Sequence, residues 1–205
     1  LSNWSKGGES SLAHSMDINT RADYTNTEAK TKWLNNVRLR YGAIFTDQNG
    51  LRKTIDILEF NSQYNKNLYN KVDFSTVFYM KHQIAKGYKY PNDSVVISKF
   101  LNPGTFTLGM GMEYQPDKNN RINLSILSYK NTFVLDTARI NQKTHGIALD
   151  KRAKQEMGGQ LLIKNILNLK EDLNISNTIR LFTNYFNKPE NVDVDWEIDM
   201  SKRIN

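Results

Sequence analysis

The sequence predicts an all-β protein, an antiparallel up-and-down transmembrane β-barrel. Three observations support this fold class: apolar and polar residues alternate with a period of two, several alternating runs extend over about 9 to 13 residues, and short connections alternate with longer ones. Soluble strands average about 5 to 6 residues, whereas a tilted strand that spans a bilayer needs about 9 to 11. Outer-membrane barrels combine such strands with short turns at one end and longer loops at the other.

The pattern is clearest in the hairpin Thr105–Ile126. Over residues 106–114 every second side chain is large and apolar, and the residues between them are small or polar. Turn-forming residues 116–120 follow, and the alternation resumes over 121–126. The two runs therefore predict an antiparallel pair joined by a polar turn.

Similar runs along the chain predict about nine strands and no helix. They begin near Leu12, Trp33, Leu58, Val72, Phe106, Ile122, Met157, Leu173 and Val192. Long connections are expected at about residues 85–104 and 129–155. No Pro/Gly/Ser-rich linker divides the chain, which predicts a single β-barrel domain over residues 1–205. Because bacterial barrels close with an even number of strands, we expect this domain to be truncated at both ends.

Composition and charge exclude several classes. The net charge is +7 and the pI is near 9.4, but basic residues are scattered among acidic ones, so we expect no nucleic-acid partner. The absence of cysteine excludes disulfides and thiolate metal sites. No run approaches the roughly 20 apolar residues of a membrane-spanning helix. Alternating strands have a low mean hydropathy, so the value of −0.62 fits either a soluble or a membrane barrel.

The alternation gives the strands two faces. Large apolar side chains such as Met110 are predicted to face lipid, where arginine would cost about 2 to 4 kcal/mol, whereas an arginine at Gly111 should be accommodated in the lumen. The charged residues predicted to face the lumen are Asp17, Arg21, Arg38, Arg40, Glu59, Asp73, Lys81, Glu113, Arg121, Arg180, Asp193, Asp195 and Glu197. Two alternatives fit this set: a charge-paired network that fills a narrow barrel, or a polar channel.

One acidic ladder within this set has an expected partner. Every second residue from Asp193 to Asp199 is acidic. We expect this ladder to face Arg38 and Arg40 across the lumen.

Four aromatic residues predict an interfacial girdle. Tyr24, Trp33, Tyr64 and Tyr114 all share the apolar phase and all lie at strand ends beside short connections. An amphipathic ring at that position buries its body in lipid and keeps its polar atom among headgroups. The alternative is that these are ordinary strand aromatics, which β-propensity favours in any case.

The first long connection is predicted to be an extracellular loop, and Tyr88, Tyr90, Pro91, Asn92 and Asp93 lie in it. Three hypotheses remain for these residues: an inward-folded constriction, an extracellular binding surface, or ordinary loop structure.

The second long connection is rich in basic residues. Lys143, Lys151, Arg152 and Lys154 are candidates for contact with anionic lipopolysaccharide, and solvation of the same residues is the alternative. The expected partners are therefore outer-membrane lipid and lipopolysaccharide, together with unidentified membrane proteins.

No catalytic, metal or cofactor site is predicted. His14 and Ser15 are neighbours in a strand, so their side chains point to opposite faces and do not form a nucleophile–base pair. The three histidines, His14, His82 and His145, lack metal-ligand spacing. We expect the protein not to be an enzyme.

Four segments resemble an uncharacterised outer-membrane β-barrel family of Bacteroidota that is known only as a domain of unknown function. They are Leu1–Glu9, Leu58–Ser62, Gly87–Ser94 and Asn191–Glu197, of which the Tyr-Pro-Asn-Asp-Ser motif in the third is the most specific. The resemblance implies a strand before the first residue and a hairpin after the last, for about twelve strands in total, and it implies no known activity.

Three functional hypotheses follow. The first is a barrel of the bacterial outer membrane that passes or binds a small polar solute. The second is a structural or assembly subunit of an outer-membrane complex. The third is a soluble, lipocalin-like binding barrel.

Overall fold

The structure, a computed structural model, describes residues 10–170 and 173–202. The strands in these residues are β1 Ser11–Asn26, β2 Thr31–Thr46, β3 Gly50–Tyr69, β4 Val72–His82, β5 Gly87–Lys89, β6 Asn92–Ser98, β7 Gly104–Tyr114, β8 Asn120–Phe133, β9 Ala153–Lys170, β10 Leu173–Asn184 and β11 Val192–Lys202. A short 3-10 helix spans Gln142–His145. In the described part of the chain, no helix is long and apolar enough to cross a bilayer. The Leu1–Glu9 segment lies outside the described residues.

Nine of the strands form one antiparallel sheet in the order β1-β2-β3-β4-β7-β8-β9-β10-β11. Each strand pairs with its neighbour in the chain, except that the β5–β6 hairpin is inserted between β4 and β7 as a separate two-stranded sheet. The predicted all-β antiparallel class and the nine-stranded count are confirmed. The β5–β6 hairpin was not predicted, because its short strands lie in a segment whose Gly, Pro and Asn residues indicated a loop.

The nine-stranded sheet curls into an open half-barrel. Arg38 on β2 and Glu197 on β11 lie near opposite ends of the strand order, yet a guanidinium nitrogen and a carboxylate oxygen of the two are 2.6 Å apart. Within the described residues, β1 pairs only with β2, and β11 only with β10. The curl therefore creates a concave face, called the interior below, and a convex face.

The two faces have opposite polarity. Most side chains on the interior face that are almost fully buried are polar, and include Gln63, Asn65, Ser75, Glu113, Asn123 and Ser125, whereas Val77 and Leu162 are apolar exceptions. The convex face exposes large apolar side chains, among them Ile18, Val37, Leu108, Met110, Leu124, Trp196 and Ile198. The sheet thus buries its polar face and exposes its apolar face, the inverse of a water-soluble barrel.

The main apolar cluster of the described residues lies outside the sheet. Val134, Ile140 and Ile147, all in the connection between β8 and β9, pack together and contact Val96 on β6. Asn102, in the first long connection, links it to the second by hydrogen bonds. Its side-chain oxygen accepts from the backbone N–H groups of Leu135 and Asp136. The two long connections are therefore packed against each other at one end of the sheet.

At the end of the sheet that carries the long connections, one connection is shorter than predicted. The segment between β2 and β3, residues 47–49, is as short as the turns at the opposite end, since the two strands remain paired as far as Thr46 and Gly50. Gly50 has φ +64°, a conformation that favours glycine in a tight reversal. The predicted alternation of short turns and longer loops is wrong at this position.

The β8 strand also continues further than predicted. Residues 129–133 were expected to begin the long connection, but they pair with β7 and β9. A bulge between Ser125 and Ser128 breaks the period of two and leaves both Ile126 and Leu127 exposed. The connection is therefore limited to residues 134–152.

The same bulge overturns the expectation for Gly111. A Cβ atom at this position would lie 1.9 Å from the backbone carbonyl oxygen of Leu124, on the adjacent strand. The expected accommodation of an arginine at position 111 is therefore wrong, because the backbone of β8 occupies the required space.

Candidate functional site: the polar interior

The interior contains a network of ion pairs that links β1, β2 and β11. The Arg38 guanidinium donates to both carboxylate oxygens of Asp17, at 3.1 and 2.8 Å, and to Glu197 at 2.6 Å. Asp199 lies 3.6 Å from the same guanidinium. Arg40, two residues along β2, is 3.5 Å from Glu197. The structure thus brings the acidic ladder of β11 against both arginines of β2.

A second part of the network links β3, β4, β10 and β11. The Tyr79 hydroxyl donates to Glu59 at 2.5 Å, and the Lys81 ammonium lies between Glu59 at 3.8 Å and Asp195 at 3.7 Å. Arg180 is 3.7 Å from Asp195 and lies 4.7 Å from the centre of the Tyr79 ring. Because Arg40 also contacts Glu59, at 3.6 Å, the two parts form one continuous belt, called the ion-pair belt below.

A buried carboxylate lies on one side of the belt, toward the short turns. Glu113 has 1% of its surface exposed. It accepts a hydrogen bond from Asn65 at 2.7 Å and another from Gln63, and Arg121 is 3.5 Å away. Two amide donors and one guanidinium charge therefore compensate this carboxylate, as its burial requires.

The remaining members of the predicted lumen set have local partners. Asp73 accepts from Asn67 at 2.7 Å, Arg21 pairs with Asp23 at 2.5 Å, and Asp193 accepts from Lys130. Asp73 is buried, whereas the side chains of Arg21 and Asp193 are largely exposed.

Two cavities lie on either side of the ion-pair belt. The cavity toward the long loops, called the outer cavity, has a volume of about 430 Å³ and is lined by Tyr79, Lys81, Lys130, Arg180, Phe182 and Asp193 among others. The cavity toward the short turns, called the inner cavity, has a volume of about 520 Å³. Its lining includes Arg21, Asp23, Lys118, Arg121, Lys164 and several Asn side chains. Both volumes fall in the range of small-molecule sites.

Sequence reasoning missed several interior residues. Lys130 was placed at the start of a loop because the β8 bulge concealed the strand. Lys164 and Tyr79 were detectable: Lys164 shares the parity of Gln160, and Tyr79 that of Lys81, in their respective strands. Tyr79 was not included, because only charged residues were collected, and Lys164 was placed on the polar face of its strand but left out of the set.

The four predicted girdle residues lie on the convex face and are exposed. Register places Tyr24 beside Trp33, and Trp33 beside Tyr64, in one row across β1, β2 and β3. The Trp33 indole N–H donates to Ser62 at 2.8 Å. Tyr114 lies at the end of β7, opposite Val72, the first residue of β4.

The predicted extracellular-loop residues form the β5–β6 hairpin. It contacts β3: the Arg52 guanidinium lies 4.6 Å from the centre of the Tyr90 ring and 4.0 Å from Asp93. Lys53 on β3 donates to Ser98 at 3.0 Å. Among the described residues, those of this hairpin line neither of the two interior cavities, and the hairpin packs against the loop end of β3.

The basic connection between β8 and β9 contains a groove of its own. Lys151, Arg152 and Lys154 line it, while Lys143 lies in the 3-10 helix beside it. Lys154 is paired with Glu156 at 2.7 Å.

Two groups at the loop end have shifted pKa values. A hydrogen bond from Lys99, with the positive charges of Lys99 and Arg139, holds the pKa of Asp136 below its ordinary value of 3.8, although burial acts in the opposite direction. Burial lowers the pKa of His145 below its ordinary value of 6.5.

The fold and site define an antiparallel all-β half-barrel with a charged interior. A family model described as a protein of unknown function (DUF3078) matches residues 1–88, a segment that includes β1 to β4. No curated protein and no solved structure matches the chain. Over these residues the chain is therefore similar to an uncharacterised family, which is the part of the predicted resemblance that this comparison supports.

Proposed function

We propose that the chain forms a transmembrane β-barrel of the bacterial outer membrane whose interior binds, or passes, a small polar solute. The observation that carries this proposal is the inverted polarity of the sheet. A soluble barrel, lipocalin-like barrels included, buries its large apolar side chains, whereas here they form the exposed convex face. A contiguous apolar surface of this kind is unfavourable in water and favourable in lipid.

The proposal includes about twelve strands in the complete barrel. The outer edges of β1 and β11 carry backbone N–H and C=O groups that have no strand partner among the described residues. In hydrocarbon each such group would cost several kcal/mol, so a membrane barrel needs further strands that pair with both edges.

The interior supports binding more strongly than unobstructed passage. The ion-pair belt extends from Asp17 on β1 through Arg38 and Glu197 to Arg180 on β10. It separates two cavities of small-molecule size. We therefore expect a partly filled lumen with solute pockets, and a low conductance.

The exposed aromatic row supports the membrane orientation. Tyr24, Trp33 and Tyr64 lie side by side close to the short turns, where an interfacial girdle is expected. By this proposal the short turns face the periplasm and the packed long loops face outward. The groove lined by Lys151 and Arg152 then lies on the outer side, and we include lipopolysaccharide phosphates among its ligands.

Folding in the presence and absence of detergent tests the proposal most directly. The full-length protein is expected to fold only with detergent or lipid, and to migrate as a compact band on a gel until it is heated. Folding as a monodisperse monomer in plain buffer would refute the membrane assignment. A barrel that inserts, binds no solute and co-purifies with other membrane proteins would instead support an assembly role.

Tryptophan depth provides a sharper measurement, because Trp33 and Trp196 are both exposed on the convex face. The first lies near the short turns and the second in the middle of β11. With Trp4→Phe and one of these two also replaced by Phe, brominated lipids should quench Trp196 best from deep acyl positions and Trp33 best from shallow ones. Equal quenching by both lipids would contradict the proposed depth.

A further inference from the structure

The inner cavity has an excess of positive charge. Its lining contains the cations Arg21, Lys118, Arg121 and Lys164, against the single acidic residue Asp23. Asp23 is already paired with Arg21, at 2.5 Å. Arg121 is 3.5 Å from Glu113, so the four cations of the inner cavity have two carboxylate partners. In the outer cavity the three cations Lys81, Lys130 and Arg180 have two carboxylate partners, Asp193 and Asp195. The inner cavity is therefore the more electropositive of the two.

Lys164 is the centre of this excess. It stands directly opposite Arg121 in the β8–β9 register and directly opposite Thr178 in the β9–β10 register. Arg180 is two residues along β10 from Thr178. Side chains that oppose each other in an antiparallel pair have Cβ atoms about 4.5 to 5.5 Å apart, and like charges at such positions are destabilising.

No carboxylate forms an ion pair with Lys164 in the described part of the chain. The Glu113 carboxylate acts on the Lys164 ammonium from beyond ion-pair distance, and it already accepts hydrogen bonds from Gln63 and Asn65 and is 3.5 Å from Arg121. A lysine that is largely removed from water, faces two arginines and has no ion-pair partner of its own is an unfavourable arrangement unless a further negative charge occupies the cavity.

The neutral residues of the lining complete a polar site. Asn19, Asn36 and Asn61, together with Thr178, supply amide and hydroxyl groups around the same space. Such groups hydrogen-bond the hydroxyl or carbonyl groups of a polar solute, while ammonium and guanidinium groups bind carboxylate or phosphate.

We propose that the inner cavity is a binding site for a small anionic solute that carries a carboxylate or phosphate group, held by Lys164 and Arg121. This inference rests on the proposed solute-binding function and names the class of the solute. Arg21 at the exposed side of the cavity adds a third cation. The site is selective by charge, since the outer cavity has a smaller excess of positive charge.

Calorimetric titration of the full-length protein, folded in a zwitterionic detergent at low ionic strength, tests the site. The probes are inorganic phosphate, succinate and, as a neutral polar control, glycerol. We expect saturable binding of phosphate or succinate and none of glycerol, and the comparison of the two anions identifies the preferred group. Absence of saturable binding of both anions would overturn the proposal.

Variants locate the binding. Lys164→Gln should weaken the affinity for the anion about 10-fold or more, because it removes a charge-assisted hydrogen bond, and Lys164→Arg should retain most of it. Lys71→Gln is the matched control, because this exposed turn lysine lies at the same end of the sheet but outside the cavity lining, and it should bind as the wild type does. An equal loss in both Gln variants, or no loss in Lys164→Gln, would overturn the site.

Folding is checked separately by heat-modifiable migration, so failure of the site and failure of the membrane proposal are distinguishable. If Lys164→Gln gives no compact band, Arg21→Gln replaces it, since that side chain is 66% exposed and its removal leaves the packed interior intact. A several-fold loss of anion affinity is expected there as well, and unchanged affinity would count against the site.

Discussion

Arg38 and Glu197 are separated by 159 residues in the chain, yet their side chains meet at 2.6 Å across the interior of the half-barrel. Asp17 holds the same guanidinium from the other side with two hydrogen bonds. One arginine therefore couples the first two strands of the sheet to the last. Together with the Arg40–Glu197 pair at 3.5 Å, this contact joins β2 to β11 across the interior, where β1 and β11 are not paired with each other.

Arg38→Gln should destabilise the folded protein by about 1 to 3 kcal/mol. The value lies between those of exposed and fully buried pairs, because the Arg38 and Glu197 side chains are 17% and 21% exposed. The substitution leaves Asp17, Glu197 and Asp199 close together without their shared cation. Urea-induced unfolding in lipid vesicles measures the change.

Arg21→Gln is the matched control for this stability measurement. Arg21 lies on β1 and also has a carboxylate partner. That partner is Asp23 on the same strand, and the Arg21 side chain is 66% exposed. A change within about 0.5 kcal/mol is expected. Equal destabilisation by the two variants would show that Arg38 has no special role in joining β2 to β11.

Met110→Arg should cost about 2 to 4 kcal/mol in a bilayer, because it places a charge on the apolar convex face near the middle of β7. Thr105→Arg is the appropriate comparison on the same strand, since Thr105 lines the outer cavity. It should cost about 1 kcal/mol or less, given that the interior already holds charges. Reversal of this order in vesicle unfolding experiments would contradict the assignment of the two faces.

Most of the strands were predictable because a run with a period of two marks each of them. That pattern placed both faces of β1, β7 and β11, and it placed Arg38, Glu59 and Glu113 on one side. The period failed at the β8 bulge, where Ile126 and Leu127 both point outward, and the strand was therefore shortened in the prediction. A bulge adds one residue without any compositional mark, so alternation alone does not locate it.

The contacts between interior side chains were less predictable than the assignment of those side chains to the interior face. The opposition of Arg38 and the acidic ladder was expected, but the cavities were not, since they depend on the curvature of the sheet. Asp56 illustrates a second limit. Register places it beside Tyr41, and its carboxylate accepts from the backbone N–H groups of Ile84 and Ala85, where the chain leaves β4, a role that alternation along β3 does not indicate.

Glu113→Gln should destabilise the protein by about 2 to 4 kcal/mol, because Arg121 loses its partner and the new amide group faces the donors of Gln63 and Asn65. Asp193→Asn is the control, since the Asp193 side chain is 63% exposed and its ion-pair partner among the described residues is Lys130 alone. That variant should change stability by less than about 1 kcal/mol. Unfolding in vesicles would compare the two, and a Glu113→Gln barrel as stable as wild type would argue against a compensated carboxylate in the interior.

Acidic pH should loosen the packed long loops through Asp136. Lys99 and Arg139 hold the pKa of Asp136 below the unfolded value, so its contribution is fully present above about pH 4 and is lost as the pH falls through the lowered folded-state pKa. Between pH 6 and pH 3, amide hydrogen exchange in residues 134–152 should therefore accelerate relative to β7. Asp136→Asn should show the faster exchange already at pH 6 and little further change on acidification.

Asp117→Asn is the control, because the pKa of Asp117 is also lowered, chiefly by Asn120, but at the opposite end of the sheet. If that variant accelerates exchange in residues 134–152 as much as Asp136→Asn does, the Lys99–Asp136 contact is not what holds the loops together.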